Sequence, residues 1–183
     1  MKEIETKLLG LSYKDVKKAF KNLKSYKFFL TFDGNLTDTY YKRGDEMVRF
    51  RLWKDQYGES QLDVTLKGLK EKTKYPGIKK VEEVELHDIS DDSSIEVLKL
   101  MGFYRFSTLR KRRRSYILKD RVRIDCDEVA GTKWVEIEGN SEEAVIDVVI
   151  ALGHRPTECC DTPTWKLLLE SATKSLTTKQ TSV

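Results

Sequence analysis

Runs in which apolar and charged residues alternate at every second position recur along this chain, separated by stretches with helical spacing. The first, Lys2 to Leu8, sets Glu3, Glu5 and Lys7 on one face and Ile4, Thr6 and Leu8 on the other, which predicts a β-strand. Ser12-Tyr13-Lys14-Asp15 resembles a capping box, and Val16, Ala19, Phe20 and Leu23 then fall at helical spacing, so a helix is expected over about 12–24. An aromatic strand follows over Tyr26 to Phe32, with Asp33-Gly34-Asn35 read as punctuation before two more strands, Asp38 to Arg43 and Met47 to Lys54.

Further strands are expected over 60–69 and 79–87, the latter with Glu83 and Glu85 opposite Val84 and Leu86. Ser93 or Asp92 caps a second helix at about 93–101, ended by Gly102. The segment 104–118 is extended, Lys119-Asp120 reads as a hairpin turn, and strands at 122–127 and 133–139 flank Gly131. A third helix runs from Ser141 to Leu152, and a fourth starts at Thr162-Pro163 and carries Trp165, Leu167, Leu168 and Leu169. About eight strands with a few helices between them argue for an α+β fold.

The 183 residues allow one sizeable core, so a single domain over 1–176 is expected, with 177–183 a polar, frayed tail. Net charge is only +4 although 35% of residues are charged, a balance that does not by itself call for nucleic acid. Three cysteines, two of them adjacent at Cys159 and Cys160, form neither a disulfide framework nor a spaced zinc motif. With no signal core and no apolar run long enough to span a bilayer, the expected location is the cytoplasm.

Composition alone leaves open what the charged faces meet. Surface strands carry mixed polar residues, whereas here the polar faces are sorted into Glu-x-Glu-x-Lys, Arg-x-Arg, Glu-x-Glu and a basic run at 110–114. An inside-out barrel explains the sorting, with charges in the lumen and apolar faces under external helices. Unpaired charges there would cost several kcal/mol each, so a multivalent ligand is implied. Carboxylate pairs at Glu3/Glu5, Glu83/Glu85 and Glu136/Glu138 suit Mg²⁺ or Mn²⁺, and the Arg and Lys faces suit a polyphosphate.

Seven elements in one order then resemble the CYTH, or triphosphate tunnel metalloenzyme, superfamily, which includes class IV adenylyl cyclases and thiamine and inorganic triphosphatases. They are Glu3-Ile4-Glu5-Thr6-Lys7, Asp38 to Tyr41, Arg49-Phe50-Arg51, Thr65 to Gly68, Glu82 to Leu86 with Met101-Gly102-Phe103, Lys111 to Tyr116, and Glu136-Ile137-Glu138. The resemblance implies an eight-stranded antiparallel β-barrel with helices outside. It also implies metal ligation by Glu3, Glu5, Asp127, Glu136 and Glu138, with phosphate contacts from Lys7, Arg49, Arg51, Lys67, Lys111 and Arg113. Glu83 and Glu85 join the metal candidates, although either could instead pair with a lumen arginine.

A one-residue slip would exchange Lys111 and Arg113 for Arg110, Arg112 and Arg114. Where the family often has Leu-Gly after Asp-x-Val, this chain has Ala130-Gly131, which predicts a differently shaped hairpin. Lys7 is the candidate general base, its pKa expected to fall beside metal ions and other cations, and Tyr40 or Tyr41 is a candidate to assist it. His87 is read as structural or exposed, Cys126 as an apolar-face residue, and Trp53 and Trp165 as packing residues, with flanking a base as the alternative.

The expected activity is divalent-metal-dependent hydrolysis of a nucleoside, thiamine or inorganic triphosphate. A class IV adenylyl cyclase making cyclic AMP and pyrophosphate is the close alternative, and a non-catalytic polyanion- or RNA-binding module is the alternative of another class. The expected partner is a small-molecule triphosphate, with no membrane; paired carboxylates argue against nucleic acid, and a homodimer is left open.

Overall fold

The computed structural model describes residues 2–22, 27–87, 91–118 and 122–168. The expected positions 23–24 of the first helix, Tyr26, the Lys119-Asp120 turn, Leu169 and the tail 177–183 lie outside the described residues. Eight antiparallel strands close into a barrel: β1 (Lys2–Leu9), β2 (Phe28–Arg43), β3 (Glu46–Asp55), β4 (Ser60–Lys70), β5 (Lys79–His87), β6 (Tyr104–Leu118), β7 (Arg123–Val129) and β8 (Thr132–Gly139). Around the barrel they run β1-β5-β4-β3-β2-β6-β7-β8. Closure removes the sheet edges and sorts each strand into a lumen face and an outer face.

Outside lie α1 (Tyr13–Asn22), α2 (Asp91–Leu100) and α3 (Glu142–Ala151), followed by a short 3₁₀ turn and a helical turn over 164–168. Asp15 accepts hydrogen bonds from the Ser12 amide and hydroxyl, at 2.9 and 2.6 Å, and so fixes the start of α1. The Ser141 hydroxyl caps α3 through the Ala144 amide. The second helix begins at Asp91, two residues before Ser93.

Ile4 and Leu8 of β1, Ile124 of β7 and Val135 and Ile137 of β8 form the main core with Val16 and Phe20 of α1 and Val145 and Val149 of α3. A smaller cluster gathers Tyr41, Val48, Phe50 and Phe103 under Ile95 and Leu98 of α2. Among the described residues no helix is long and apolar enough to cross a membrane.

The expected break at Asp33-Gly34-Asn35 is absent, and β2 runs unbroken for 16 residues. Gly34 is there for close approach: a Cβ would meet the Lys54 carbonyl oxygen and the Phe32 ring. A register shift between Leu30 and Phe32 lets β2 bend against β6.

Ala130 and Gly131 form the two-residue turn between β7 and β8, with φ of +47° and +85°. That conformation belongs to the primed hairpin turns and strains any residue with a Cβ. Ala130→Gly is therefore expected to stabilise the protein by about 0.5–1 kcal/mol, read as a rise in Tm. A fall in Tm would show that the turn carries no strain.

Candidate functional site: a charged tunnel

In β1 residues 4–8 are all buried, although Glu5 and Lys7 lie among them. The apolar residues of that strand face the helices, so the charges face the lumen. Register brings further charges beside them: Glu5 lies opposite Glu138 and Lys7 opposite Glu136 on β8, while Glu5 lies opposite Lys79 on β5. Lys7 Nζ stands 3.5 Å from Glu5 Oε1 and 3.6 Å from Glu136 Oε1. Lys79 Nζ bridges Glu3 and Glu5 at 2.8 and 2.6 Å, and Lys67 Nζ bridges Glu3 and Glu83 at 2.6 and 2.8 Å.

The opposite wall is guanidinium-rich. Arg51 is held in a fork by Asp38, Nε to Oδ1 at 2.6 Å and Nη2 to Oδ2 at 2.8 Å, both residues being buried. Arg49 donates to Thr65 Oγ1 at 2.9 Å and approaches Glu83 and Glu85 at 3.7 and 3.9 Å. Arg113, 1% exposed, joins three carboxylates: both Asp127 oxygens at 2.6 Å, Glu136, and Asp125. Lys111 Nζ donates to Asp127 at 2.7 Å.

These facing walls enclose a cavity of about 630 Å³. Leu36 and Trp134 share the inward parity of Asp38 and Glu136 and are at most 1% exposed. The segment after the 3₁₀ turn returns to the cavity: Cys160 pairs with Lys7 through two backbone hydrogen bonds of 2.9 Å, and Pro163, Thr164 and Trp165 join the lining.

Of the expected site residues, Glu3, Glu5, Lys7, Tyr40, Arg49, Arg51, Lys67, Glu83, Glu85, Lys111, Arg113, Glu136 and Glu138 all line this cavity. Tyr41 is a correction. Neighbours on a strand point to opposite faces, so with Tyr40 inward the Tyr41 ring lies outside, edge-on to Phe50 at 5.4 Å. Asp127 is also corrected in place: it is 2% exposed and lies behind Lys111 and Arg113, whose charges it balances, rather than on the cavity wall. The basic strand has the Lys111/Arg113 register. Arg112 and Arg114 point outward, and both donate to Asp33.

Sequence reasoning passed over Asp38, Lys79, Arg123 and Asp125, all charged members of the lumen network. Parity could have found them, since Lys79 shares the face of Glu83, and Arg123 and Asp125 share that of Asp127. His87 also lines the cavity, its Nδ1 2.9 Å from Oδ1 of the buried Asp63. Cys126 packs in the core, as expected.

Electrostatics differ along the walls. Burial and Arg113 push the Lys111 ammonium down, whereas for Lys7 the opposing pull of Glu5 and Glu136 outweighs burial and raises it. Without a bound ion the carboxylates on either side of Lys7 outweigh the opposing charge of Lys79. Burial, reinforced by Glu3, Asp125 and Glu5 against the pull of Arg123, pushes Glu138 up to about 7. Arg51 and Lys111 overcome burial at Asp38 and hold it well below the usual carboxylate range.

A depressed carboxyl stabilises the fold above its unfolded pKa of about 4, and that contribution is lost as pH falls. Tm is therefore expected to drop by several degrees below pH 4. In Asp38→Asn, Tm should start lower but fall less steeply over the same range. Equal slopes in thermal melts would remove Asp38 from the acid response.

A hard divalent cation fits this donor set, because Glu3, Glu5, Glu136 and Glu138 lie on two adjacent strands, where Glu3 and Glu5 crowd Glu138 with negative charge. Among the described residues no three carboxylates converge as they stand, each reaching toward an ammonium or guanidinium group. Anions fit the other wall, where Arg49 Nε is buried with no hydrogen-bond partner among the described residues.

The family model for the CYTH domain matches residues 1–151. The chain belongs to the CYTH domain family. Among solved structures, this CYTH chain is similar to the PH1819 protein of Pyrococcus horikoshii OT3, at 25% identity and a TM-score of 0.73, covering 92% of this chain and 99% of that one. It shares its fold with a protein described as a putative adenylate cyclase from Vibrio parahaemolyticus, at 15% identity and TM-score 0.67, covering 91% and 97%. The same holds for the putative adenylyl cyclase HpAC1 from Hippeastrum, described as having a dominant triphosphatase activity, at 17% identity and TM-score 0.55, covering 82% and 88%. A search of curated proteins gave no match.

Proposed function

We propose that this CYTH protein is a divalent-metal-dependent triphosphatase. The observation that carries the reading is the sorting of one cavity into a glutamate-rich wall on β1 and β8 and a cationic wall on β3, β4 and β6. Glu3, Glu5, Glu136 and Glu138 would hold Mg²⁺ or Mn²⁺. The ion, when bound, neutralises charge on the phosphate oxygens and acidifies a bound water.

The chain's own residues do the rest. Arg49, Arg51, Lys67, Lys111 and Arg113 bind the phosphate chain and align it between the walls. Asp38 and Asp127 hold Arg51, Lys111 and Arg113 in place, so that stabilising charge is already oriented where negative charge builds up. Lys7 stays an ammonium between Glu5 and Glu136 and donates to a phosphate oxygen. Tyr40, its phenol raised by burial and Asp38, stays neutral and donates likewise. Glu83 and Glu85 balance Lys67 and Arg49.

A polyanion-binding module is disfavoured because the outward Arg112 and Arg114 are already partnered by Asp33. Incubation with Mg²⁺ or Mn²⁺ and ATP, tripolyphosphate or thiamine triphosphate tests the reading. Orthophosphate release supports hydrolysis, cyclic AMP with pyrophosphate makes the protein a cyclase, and no turnover of any of the three overturns it.

A further inference from the structure

The cavity is larger than a row of phosphates needs. At about 630 Å³ it falls within the roughly 300–1,000 Å³ that encloses a whole organic ligand. Its lining is dominated by charge, and among the described residues Trp165 is the one large aromatic surface it offers besides the phenol of Tyr40. Trp165 is only half-buried, in contrast to Trp134, which is fully buried.

The ring is also firmly placed. The segment leading to it is tied to the barrel by the Cys160–Lys7 backbone pair, by the Lys70–Asp161 ion pair, and by Thr164 Oγ1, which lies 3.4 Å from Glu136 Oε1. Trp165 therefore comes directly after a residue that touches the glutamate wall. Phe106 of β6 supports it at a centroid distance of 6.0 Å and an interplanar angle of 87°. In such an edge-to-face pair Phe106 covers at most one indole face, and Trp165 also lines the cavity. The Lys42 ammonium lies 5.6 Å from the Phe106 ring on the same rim.

We propose that Trp165 is a specificity-determining residue that stacks on a planar aromatic group attached to the triphosphate, so that the preferred substrate is a nucleoside or similar aromatic triphosphate and not the inorganic chain. The proposal rests on the triphosphate reading above. Stacking on an aromatic side chain is indifferent to hydrogen-bonding pattern, so purine and thiamine-type rings would both be accepted to some degree. Phosphate contacts would set the register of the chain along the tunnel, and the indole would select the organic group at its end.

The test measures dissociation constants of the full-length protein for ATP, thiamine triphosphate and inorganic tripolyphosphate by calorimetry, for wild type, Trp165→Leu and Trp165→Phe. The expected result is that wild type binds at least one aromatic triphosphate about tenfold more tightly than tripolyphosphate. Trp165→Leu should erase that ratio, and Trp165→Phe should keep most of it. Whichever aromatic triphosphate shows the larger ratio identifies the ring that the site prefers. A ratio unchanged in Trp165→Leu, or a wild type that binds tripolyphosphate as tightly as the other two, overturns the stacking role while leaving the triphosphate site intact. Failure of all three to bind wild type overturns the triphosphate reading, and this proposal with it.

Discussion

Arg113→Ala is expected to cost about 3–5 kcal/mol of stability, because it strands buried carboxylates without their cation. Arg113 is the shared partner of Asp125, Asp127 and Glu136, gathered from two strands onto one guanidinium. Lys111 remains beside Asp127, but its own charge is disfavoured by burial, and it cannot serve all three acids. At 2–4 °C per kcal/mol for a chain of this size, Tm should fall by at least about 6 °C at pH 7. The deficit should shrink toward pH 4, since the stranded acids can then take up protons on folding. Asp127→Asn in the same chain should recover part of the loss. A melt within 2 °C of wild type at pH 7 would show that water or other cations already compensate those acids.

Glu138→Gln should behave in the opposite way, losing activity and keeping stability. Glu138 faces Glu5 across the β1–β8 pair and is crowded by Glu3 and Asp125, with Arg123 as its cationic partner. Removing its charge relieves repulsion, so Tm should hold or rise at pH 8. Metal-dependent turnover should fall at least about a hundredfold, the scale for losing one group that stabilises transition-state charge. Phosphate release assayed across Mg²⁺ and Mn²⁺ concentrations checks this. Unaltered metal dependence would take Glu138 out of the ion's ligand set. The two variants together separate the charge that the fold needs at Arg113 from the charge that the fold tolerates losing at Glu138.

Much of the site was legible because period-two alternation is a local property. Glu3, Glu5 and Lys7 share a face whatever the partner strand is, and so do Arg49 and Arg51, or Glu136 and Glu138. Sorting of charge by strand, not mere polarity, marked that face as a lumen. The same rule lets only one of Tyr40 and Tyr41 point inward, and in the barrel it is Tyr40. Gly34 read as a turn because sequence shows a missing side chain but not the Lys54 carbonyl that excludes one.

By itself the sequence determined the α+β class, the sidedness of strands such as β1, β3 and β8 and the chemical character of the lumen, all consequences of spacing along one chain. Only the tertiary structure decided the Lys111/Arg113 register, the seclusion of Asp127 behind those cations, the gathering of three acids on Arg113, and the return of Trp165 to the cavity. Those depend on which residues distant in sequence become neighbours when the barrel closes, and alternation carries no information about partners.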